Sequence, residues 1–459
     1  MTSEVTAAMR LIRVAAENPE AEFEALLQKT QSEADRELLL AVDFDFCEYW
    51  REEKNTVALT ALFYVRGDSV SIAVLRTALF DQCKKMRGHS LSDLLHELPV
   101  TIFPLNGPMQ LQPIAIPKPW GQEIWYTGIE KRGVAEIGEA GRSVPLPWLL
   151  AVAPQRLLRG AQQPILLKIL DPLPEPVFGD LYFELHRQKQ EVYVVTAVDR
   201  SAWPDGVGAI RFGFDANRRH EFANDAEFVE AYLSAVRDYR VVRKQIDAQI
   251  DRFRHRENIG LNEPVSAATL ARWLEEIDSE LQKNEATLRT RMESFTALMP
   301  LRIGDVVKVP CLLPHSLQHG VRTVEFQTPV YERLILSFAQ KVLTQTEWDT
   351  DEAAAVLQLD PEPPSKFPLL AQGEGWLVEQ IVQFDDFEVR RISLQPQAQM
   401  QLGHDHGYAL GMVVGQVLEL GGKPFDPDEA VLLPTHFGPL TLRNNSDLAA
   451  YFLLALPLA

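Results

Sequence analysis

Short apolar runs separated by proline, glycine and aspartate fill the chain after Pro104, and they restrict its fold more than any other feature. Each run has the length of a strand and is rich in β-branched and aromatic residues. No helix-length pattern separates the first of these runs, so an antiparallel β architecture is expected. The first four runs are Ile165–Leu170, Leu181–Leu185, Val192–Val198 and Ile210–Phe214.

A second series of similar runs follows the proline-rich stretch Asp360–Pro364, which we interpret as a linker. The regular spacing of these runs, with turn residues between them, predicts a second sandwich or barrel. Its members are Trp376–Val382, Phe387–Leu394, Tyr408–Val414, Ala430–Leu433, Pro439–Leu442 and Ala450–Leu456.

Two helical patterns interrupt the first β series. Asn224 and Glu227 have the spacing of a capping box, and Ser266 can cap a second helix. Apolar residues recur at helical spacing after each cap, with a break at Asn258–Pro264. The sequence therefore predicts a helical hairpin, at residues 219–299, inserted into a β domain that comprises residues 104–218 and 300–365.

The N-terminal region, residues 1–103, has no proline between Ala21 and Leu98. Its apolar residues recur at spacings that fit helices, which predicts an all-helical region ending near Pro99. Residues 366–459 then form the second β domain. The two N-terminal stripes are Leu38, Leu39, Val42, Phe46, Tyr49 and Trp50, and Ile72, Leu75, Leu79 and Phe80.

Composition excludes several classes of protein. The chain has 459 residues, 46% of them hydrophobic, and a formal net charge of -19. Nucleic acids and anionic membranes are bound by Lys/Arg surfaces, so neither is expected as a partner. Three separated cysteines (Cys47, Cys83, Cys311) argue against a disulfide framework and a thiolate zinc site. No signal peptide or membrane span is evident, so a cytoplasmic location is expected.

Two stretches carry residues suited to metal chemistry. Glu184 and His186 are two apart on a predicted strand, so their side chains face the same way. Glu191 follows five residues after His186, where a short turn can return it to the same face. His315 ends the second stretch, which begins with the Gly304–Asp305 turn. Two histidines and two carboxylates suit a divalent ion: zinc first, with manganese or iron(II) as alternatives.

These stretches resemble the paired motifs of the cupins. The first fits as Glu184-x-His186-x(4)-Glu191, with glutamate replacing the first histidine of the motif. In the second, Gly304, Pro310 and His315 have the expected spacing. There Leu312 stands where the motif has glycine.

The order of several further segments is similar to that of the type I mannose-6-phosphate isomerases. The similarity covers roughly residues 105 to 459 and depends on order and spacing together, since no single motif is specific. The segments are Lys118–Gly121, Pro164–Leu170, Glu184–His186, Lys189–Glu191, Pro314–Leu317, Val324–Gln327 and Tyr331–Leu334.

The resemblance implies two cupin-type β-barrels of jelly-roll form, with one metal ion in the first. It implies an aldose–ketose isomerase that acts on a sugar or sugar phosphate through an enediolate. Glu184, His186, Glu191 and His315 would hold the metal. The resemblance assigns proton transfer or substrate contact to Lys189, stabilisation of the enediolate oxygens to Arg333, and substrate contacts to Tyr182 and Trp120.

Three departures from the family pattern keep alternatives open. Glu184 replaces a glutamine, Tyr182 replaces a small hydroxyl residue, and the loop between His186 and Lys189 is short. One alternative is a metal-binding cupin oxygenase or lyase. Another is a non-catalytic sugar-binding or scaffold protein whose N-terminal helices bind a protein partner. The second β domain is expected to lack metal, because no carboxylate accompanies His404 and His406.

Overall fold

The computed structural model describes residues 10–29, 37–85, 95–362, 366–403 and 407–458. The protein is mainly β. The chain divides into two compact units. The first comprises residues 1–114, 125–167 and 367–459, and the second comprises residues 115–124 and 168–366. Among the described residues, no helix is both long and apolar enough to cross a membrane.

Two sheets build the second unit, and the apolar core between them includes Leu170, Tyr193, Ile210, Leu317 and Val321. The first sheet has, in spatial order, the strands Val306–Val309, Glu191–Val198, Val321–Gln327, Leu166–Pro172, Gly121–Trp125 and Ile114–Lys118. The order in the second is Thr296–Leu301, Gly208–Phe214, His315–Leu317, Phe183–Leu185 and Leu334–Ser337. The predicted antiparallel pairing is confirmed in both sheets, as for Glu191–Val198 with Val321–Gln327 and for Phe183–Leu185 with Leu334–Ser337.

The inserted helices follow the predicted caps. The long helix Asp225–Arg256 begins after Asn224, whose side chain accepts a hydrogen bond from the backbone N–H of Glu227. Ser266 caps Ala267–Glu275 in the same way. The second arm of the hairpin is two helices rather than one, because Asp278 caps a new helix, Ser279–Glu293. The apolar face of the long helix, including Phe228 and Tyr232, packs on the second sheet beside Phe183, Leu185 and Phe214.

The first unit contains the remaining predicted strands. Its largest sheet has nine strands, in the order Val144–Pro145, Glu136–Ile137, Met109–Gln112, Ala430–Leu433, Ala409–Val414, Ala450–Pro457, Phe387–Leu394, Trp376–Gln383 and Leu369–Gly373. A four-stranded sheet has the order Gln399–Leu402, Leu440–Arg443, Leu418–Leu420 and Lys423–Phe425, and a short hairpin pairs Ile129–Glu130 with Gly133–Val134. Short helices lie at Leu146–Val152 and Pro154–Leu158 in this unit, and at Ala216–Arg219 and Thr350–Ala354 in the second unit.

The prediction of an all-helical N-terminal region is wrong. Its described residues form a five-stranded sheet of Arg10–Ala15, Glu37–Glu48, Asn55–Arg66, Ser69–Arg76 and Phe103–Pro104, with the helices Pro19–Lys29 and Thr77–Lys85. The apolar run from Leu38 to Val42 is buried at every position, as expected for a strand covered on both faces. A short apolar run of this kind fits a buried helix or a buried strand equally well. The protein partner assigned to N-terminal helices loses its basis with this correction.

The prediction of closed barrels is also corrected. Within the described residues, no sheet closes on itself, since each has two edge strands. The buried core of the second unit therefore lies between two open sheets that pack face to face. Part of the predicted linker, residues 363–364, lies outside the described residues. The boundaries proposed from the sequence stay predictions.

Candidate metal centre

A buried group of ligand-type side chains lies between the two sheets of the second unit. His186, Glu191 and His315 each offer one ligand atom, and these atoms all lie within 4.8 Å of one another. Glu191 begins a strand of the six-stranded sheet, His315 begins a strand of the five-stranded sheet, and His186 directly follows the strand Phe183–Leu185. Residues from three strands thus lie close together, and the centres of the two imidazole rings are 5.2 Å apart.

Both histidines are oriented by backbone carbonyl groups. Nδ1 of His186 lies 2.9 Å from the carbonyl oxygen of Glu332, and Nδ1 of His315 lies 3.1 Å from that of Leu313. Each Nδ1–H can donate to its carbonyl, which leaves the lone pair on Nε2. The Nε2 atoms lie 3.5 Å and 3.1 Å from the two carboxylate oxygens of Glu191. Metal-binding histidines are commonly held in this way through the opposite ring nitrogen.

The electrostatics of the group favour a bound cation. Burial lowers the pKa of His186 well below its ordinary value, so its imidazole is neutral. Burial acts to raise the pKa of Glu191, but Lys189 and the two histidines hold it well below its usual range. An ionised carboxylate then faces two nitrogen lone pairs. Nε2 of His186 is buried without a hydrogen-bond partner among the described residues, which fits a position reserved for a metal.

The backbone at Leu312 has a conformation that glycine adopts most easily, although the residue is a leucine. This residue has a φ of +67°, the left-handed conformation that glycine adopts most easily. Its backbone N–H donates to the carbonyl of His186 at 2.6 Å, so the turn connects the two histidine segments directly. A leucine held in this conformation stores strain, which is a feature of functional sites. The motif spacing is therefore realised in the structure even though its glycine is absent.

A tight turn before His186 depends on Gly179. A Cβ atom at this position would lie 1.9 Å from the carbonyl oxygen of Leu173, so only glycine fits. The adjacent Asp180 accepts hydrogen bonds from the backbone N–H of Val177 at 3.2 Å and from that of His319 at 3.1 Å. It also accepts one from Nδ1 of His319 at 2.7 Å. Together these contacts hold the turn that precedes the strand Phe183–Leu185.

Replacing Asp180 by asparagine should destabilise the protein by about 1–3 kcal/mol near neutral pH, because it weakens hydrogen bonds to a charged acceptor. Burial acts to raise the pKa of Asp180, but the His319 contacts outweigh it and lower that pKa. The unfolded-state pKa is about 3.9, so this stability is present above pH ~4 and is lost as pH falls through the folded-state value. Urea unfolding of parent and variant at neutral pH and at pH ~3 measures both effects.

The matched control is Asp205→Asn, which changes an aspartate that accepts one backbone N–H in an exposed turn. Its effect should be smaller than that of Asp180→Asn. A stability difference for Asp180→Asn that stays constant across the pH range would contradict the assignment.

The fourth predicted ligand, Glu184, lies beside the group of three. It is the register partner of His315 on the neighbouring strand, which puts their side chains on one face. Its Oε1 lies 3.8 Å from Nε2 of His186, and its Oε2 lies 3.8 Å from Nη1 of Arg333. The structure thus brings all four predicted ligands together, with Glu184 at the outer side of the buried three.

The residues assigned to substrate contact and proton transfer surround this point. Lys189 Nζ lies 2.6 Å from Oε1 of Glu191. The Arg333 guanidinium lies over the ring of Tyr182, 4.7 Å from its centre, and hydrogen-bonds Thr344. Tyr182 is buried, and so is Trp120, which packs in the core between the sheets. Their predicted substrate contacts stay predictions.

A second buried charge cluster was not assigned to the site from the sequence. Lys168 Nζ lies 3.2 Å from Oε1 of Glu325 and 3.9 Å from Oε2 of Glu123. Burial raises the pKa of Glu325 well above its ordinary value; Lys168 opposes this shift, and Glu191 adds to it. The sequence feature that could have indicated this cluster is a lysine and a glutamate within apolar strands, because a buried charge needs a partner of opposite charge.

The structure does not test the expectation for His404 and His406, because both lie outside the described residues. The third histidine of that domain, His436, is described and has a φ of +67°.

The second unit thus consists of two packed sheets that enclose a buried His–Glu–His group. No family model and no curated protein matches the chain. Solved structures do match it. Mannose 6-phosphate isomerase from Bacillus subtilis has a TM-score of 0.52 at 13% identity, over 76% of this chain and 99% of that one.

Two further structures agree with this similarity. A zinc-bound mannose 6-phosphate isomerase has a TM-score of 0.52 at 14% identity, over 76% of this chain and 99% of that one. A mutant of phosphomannose isomerase from Salmonella typhimurium has a TM-score of 0.53 at 13% identity, over 77% and 100%. At this identity the comparison establishes the fold alone: the protein has a mannose-6-phosphate isomerase-like fold.

Proposed function

We propose that the protein is a metal-dependent aldose–ketose isomerase that acts on a sugar or sugar phosphate. The observation that carries the proposal is the buried group of His186, Glu191 and His315, with both Nε2 lone pairs directed to one carboxylate. Two imidazoles and a carboxylate suit zinc, with manganese or iron(II) as alternatives. Glu184 supplies a fourth ligand from the adjacent strand position.

A bound divalent ion would supply a Lewis acid at the sugar oxygens. The chain itself supplies the other requirements of the reaction. Arg333 offers a planar cation for negative charge that develops on the substrate oxygens as a proton moves between C1 and C2. Lys189, next to Glu191, is placed to move a proton or to hold a substrate hydroxyl. The low exposure of these side chains limits water at the reacting atoms.

The contacts of Arg333 also indicate what kind of substrate the site would bind. Its nearest carboxylate is Glu184, at 3.8 Å, so its charge is only loosely paired. Nε of Arg333 is buried and has no hydrogen-bond partner among the described residues. A buried guanidinium with unused donors favours an oxygen-rich, polar substrate.

Purified protein should contain about one divalent ion per chain and should isomerise mannose 6-phosphate, mannose or both. Elemental analysis of protein prepared without chelator, followed by an isomerase assay with each sugar, measures both properties. Chelation should abolish turnover, and adding zinc back should restore it. Protein treated with the chelator's zinc complex serves as the control.

Metal without turnover on any sugar would contradict the isomerase and favour the oxygenase or lyase. Absence of metal would contradict both enzymatic proposals. That result would favour a sugar-binding or scaffold protein.

A further inference from the structure

A cavity of about 290 Å³ lies in the second unit between the helical insertion and the loops at one side of the sheets. Its wall on the long helix includes Ile246 and Ile250, and Leu270 and Leu274 on the next helix form a second wall. Leu343 lies on the opposite side. This volume is close to the lower end of small-molecule sites, which are mostly apolar with a few polar groups. The lining residues do not include the three of the buried metal group.

Arg254 lines this cavity and is a buried arginine whose hydrogen-bonding capacity is only partly used. Its side chain is buried, and Nη1 donates to the carbonyl groups of Gly260 and Glu263. A guanidinium has five N–H groups, so the N–H groups on Nε and Nη2 remain available to a ligand. Nε has no hydrogen-bond partner among the described residues. Burial lowers the pKa of Arg254 even with acidic residues in its neighbourhood.

The other cations of the cavity are already neutralised. Arg243 pairs with Asp247 at 2.7 Å, and Lys341 pairs with Asp251 at 2.6 Å. Arg289 lies 3.2 Å from Glu285, whose carboxylate also accepts from a tyrosine hydroxyl. No carboxylate lies within ion-pair distance of Arg254 in the part of the chain that the structure describes. An incoming anion would therefore meet one buried cation whose charge is not yet paired.

We propose that this cavity binds a small amphipathic carboxylic acid. The aliphatic body of the ligand lies against Ile246, Ile250 and Leu270, and its carboxylate accepts hydrogen bonds from Arg254. Apolar walls supply affinity through burial of the hydrocarbon, and the arginine supplies selection for the acid. The site is independent of the proposed isomerase, since it shares no residue with the metal group.

The probe is decanoate, used below its micellar concentration and titrated into the full-length protein by calorimetry. Decanol, with the same chain length and no charge, is the matched ligand. Decanoate should bind once per chain and at least about tenfold more tightly than decanol, a difference of ~1.4 kcal/mol. Binding should persist in His315→Ala protein, which separates this proposal from the proposed function.

Two variants test the location. Ile250→Trp and Leu274→Trp fill the cavity from different walls, and each should weaken decanoate binding at least about tenfold. Val241→Trp adds the same side chain at an exposed position on the long helix and should leave binding unchanged. Circular dichroism identifies any filling variant that does not fold. The other filling variant and the comparison of decanoate with decanol then test the proposal.

Three outcomes would overturn the proposal. The first is no binding of decanoate up to about 1 mM, the weak end of useful affinities. The second is equal affinity for decanol and decanoate, which would mean that Arg254 does not select an acid. The third is unchanged binding in a folded filling variant, which would place the ligand elsewhere.

Discussion

Replacing His315 by alanine is expected to lower the metal content from about one ion per chain to a small fraction of that value. The change removes one of the three buried side chains proposed as ligands, and its Nε2 lies 3.1 Å from Oε2 of Glu191. The remaining His186, Glu191 and Glu184 should bind a divalent ion much more weakly, and the Glu191 carboxylate is left with fewer partners. Elemental analysis after dialysis, together with thermal unfolding, measures the metal loss and the retention of the fold.

His319→Ala is the matched control for this experiment. His319 lies four residues away in the same unit, but it pairs with Asp180 and stacks on Trp203. This variant should lose some stability and keep its metal. Parental metal content in His315→Ala would contradict the site. Equal metal loss in both variants would mean that the loss follows from general damage to the fold.

Replacing Arg333 by methionine should lower kcat of the proposed isomerase by about 10²–10³, the effect of removing one group that stabilises transition-state charge. Methionine retains much of the side-chain volume and the contact with Tyr182, so the change is mainly one of charge. Burial opposes the charge of Arg333, but Glu184 and Tyr182 outweigh it and raise its pKa. The guanidinium therefore stays charged where the substrate is expected. Steady-state kinetics and metal content are measured on the same preparation.

The control is Arg187→Met, which removes a half-exposed arginine paired with Glu352. It should leave both kcat and metal content near the parental values. If Arg333→Met keeps parental kcat, Arg333 has no role in the chemistry. If it loses metal, the residue acts through the proposed ligand Glu184 instead.

Much of the β structure could be predicted from residue patterns alone. The strand Glu191–Val198 and the strand Phe387–Leu394 lie within a residue of their predicted bounds. Both are rich in β-branched or aromatic residues and end at turn residues, so their local preferences agree with the fold. The first helix of the hairpin was equally clear, because Asn224 caps a long stretch with one apolar face.

The N-terminal region shows where such patterns become ambiguous. The residues from Leu38 to Val42 are apolar at every position, so they carry no period that distinguishes a strand from a helix. This segment is a strand because it pairs with Arg10–Ala15 on one side and with Asn55–Arg66 on the other. Those partners are brought together only by tertiary packing. Local preference was overridden by contacts that are distant in the sequence.

By itself, the sequence determined which side chains are available as ligands and which of them share a face. The spacing of Glu184, His186 and Glu191, and the turn before His315, are local properties of the chain. Only the tertiary structure decided how these groups are oriented. The carbonyl that holds His186 comes from Glu332, and the lysine that pairs with the buried Glu325 is Lys168. Hydrogen bonds and ion pairs of this kind join residues more than a hundred positions apart, so no local pattern could contain them.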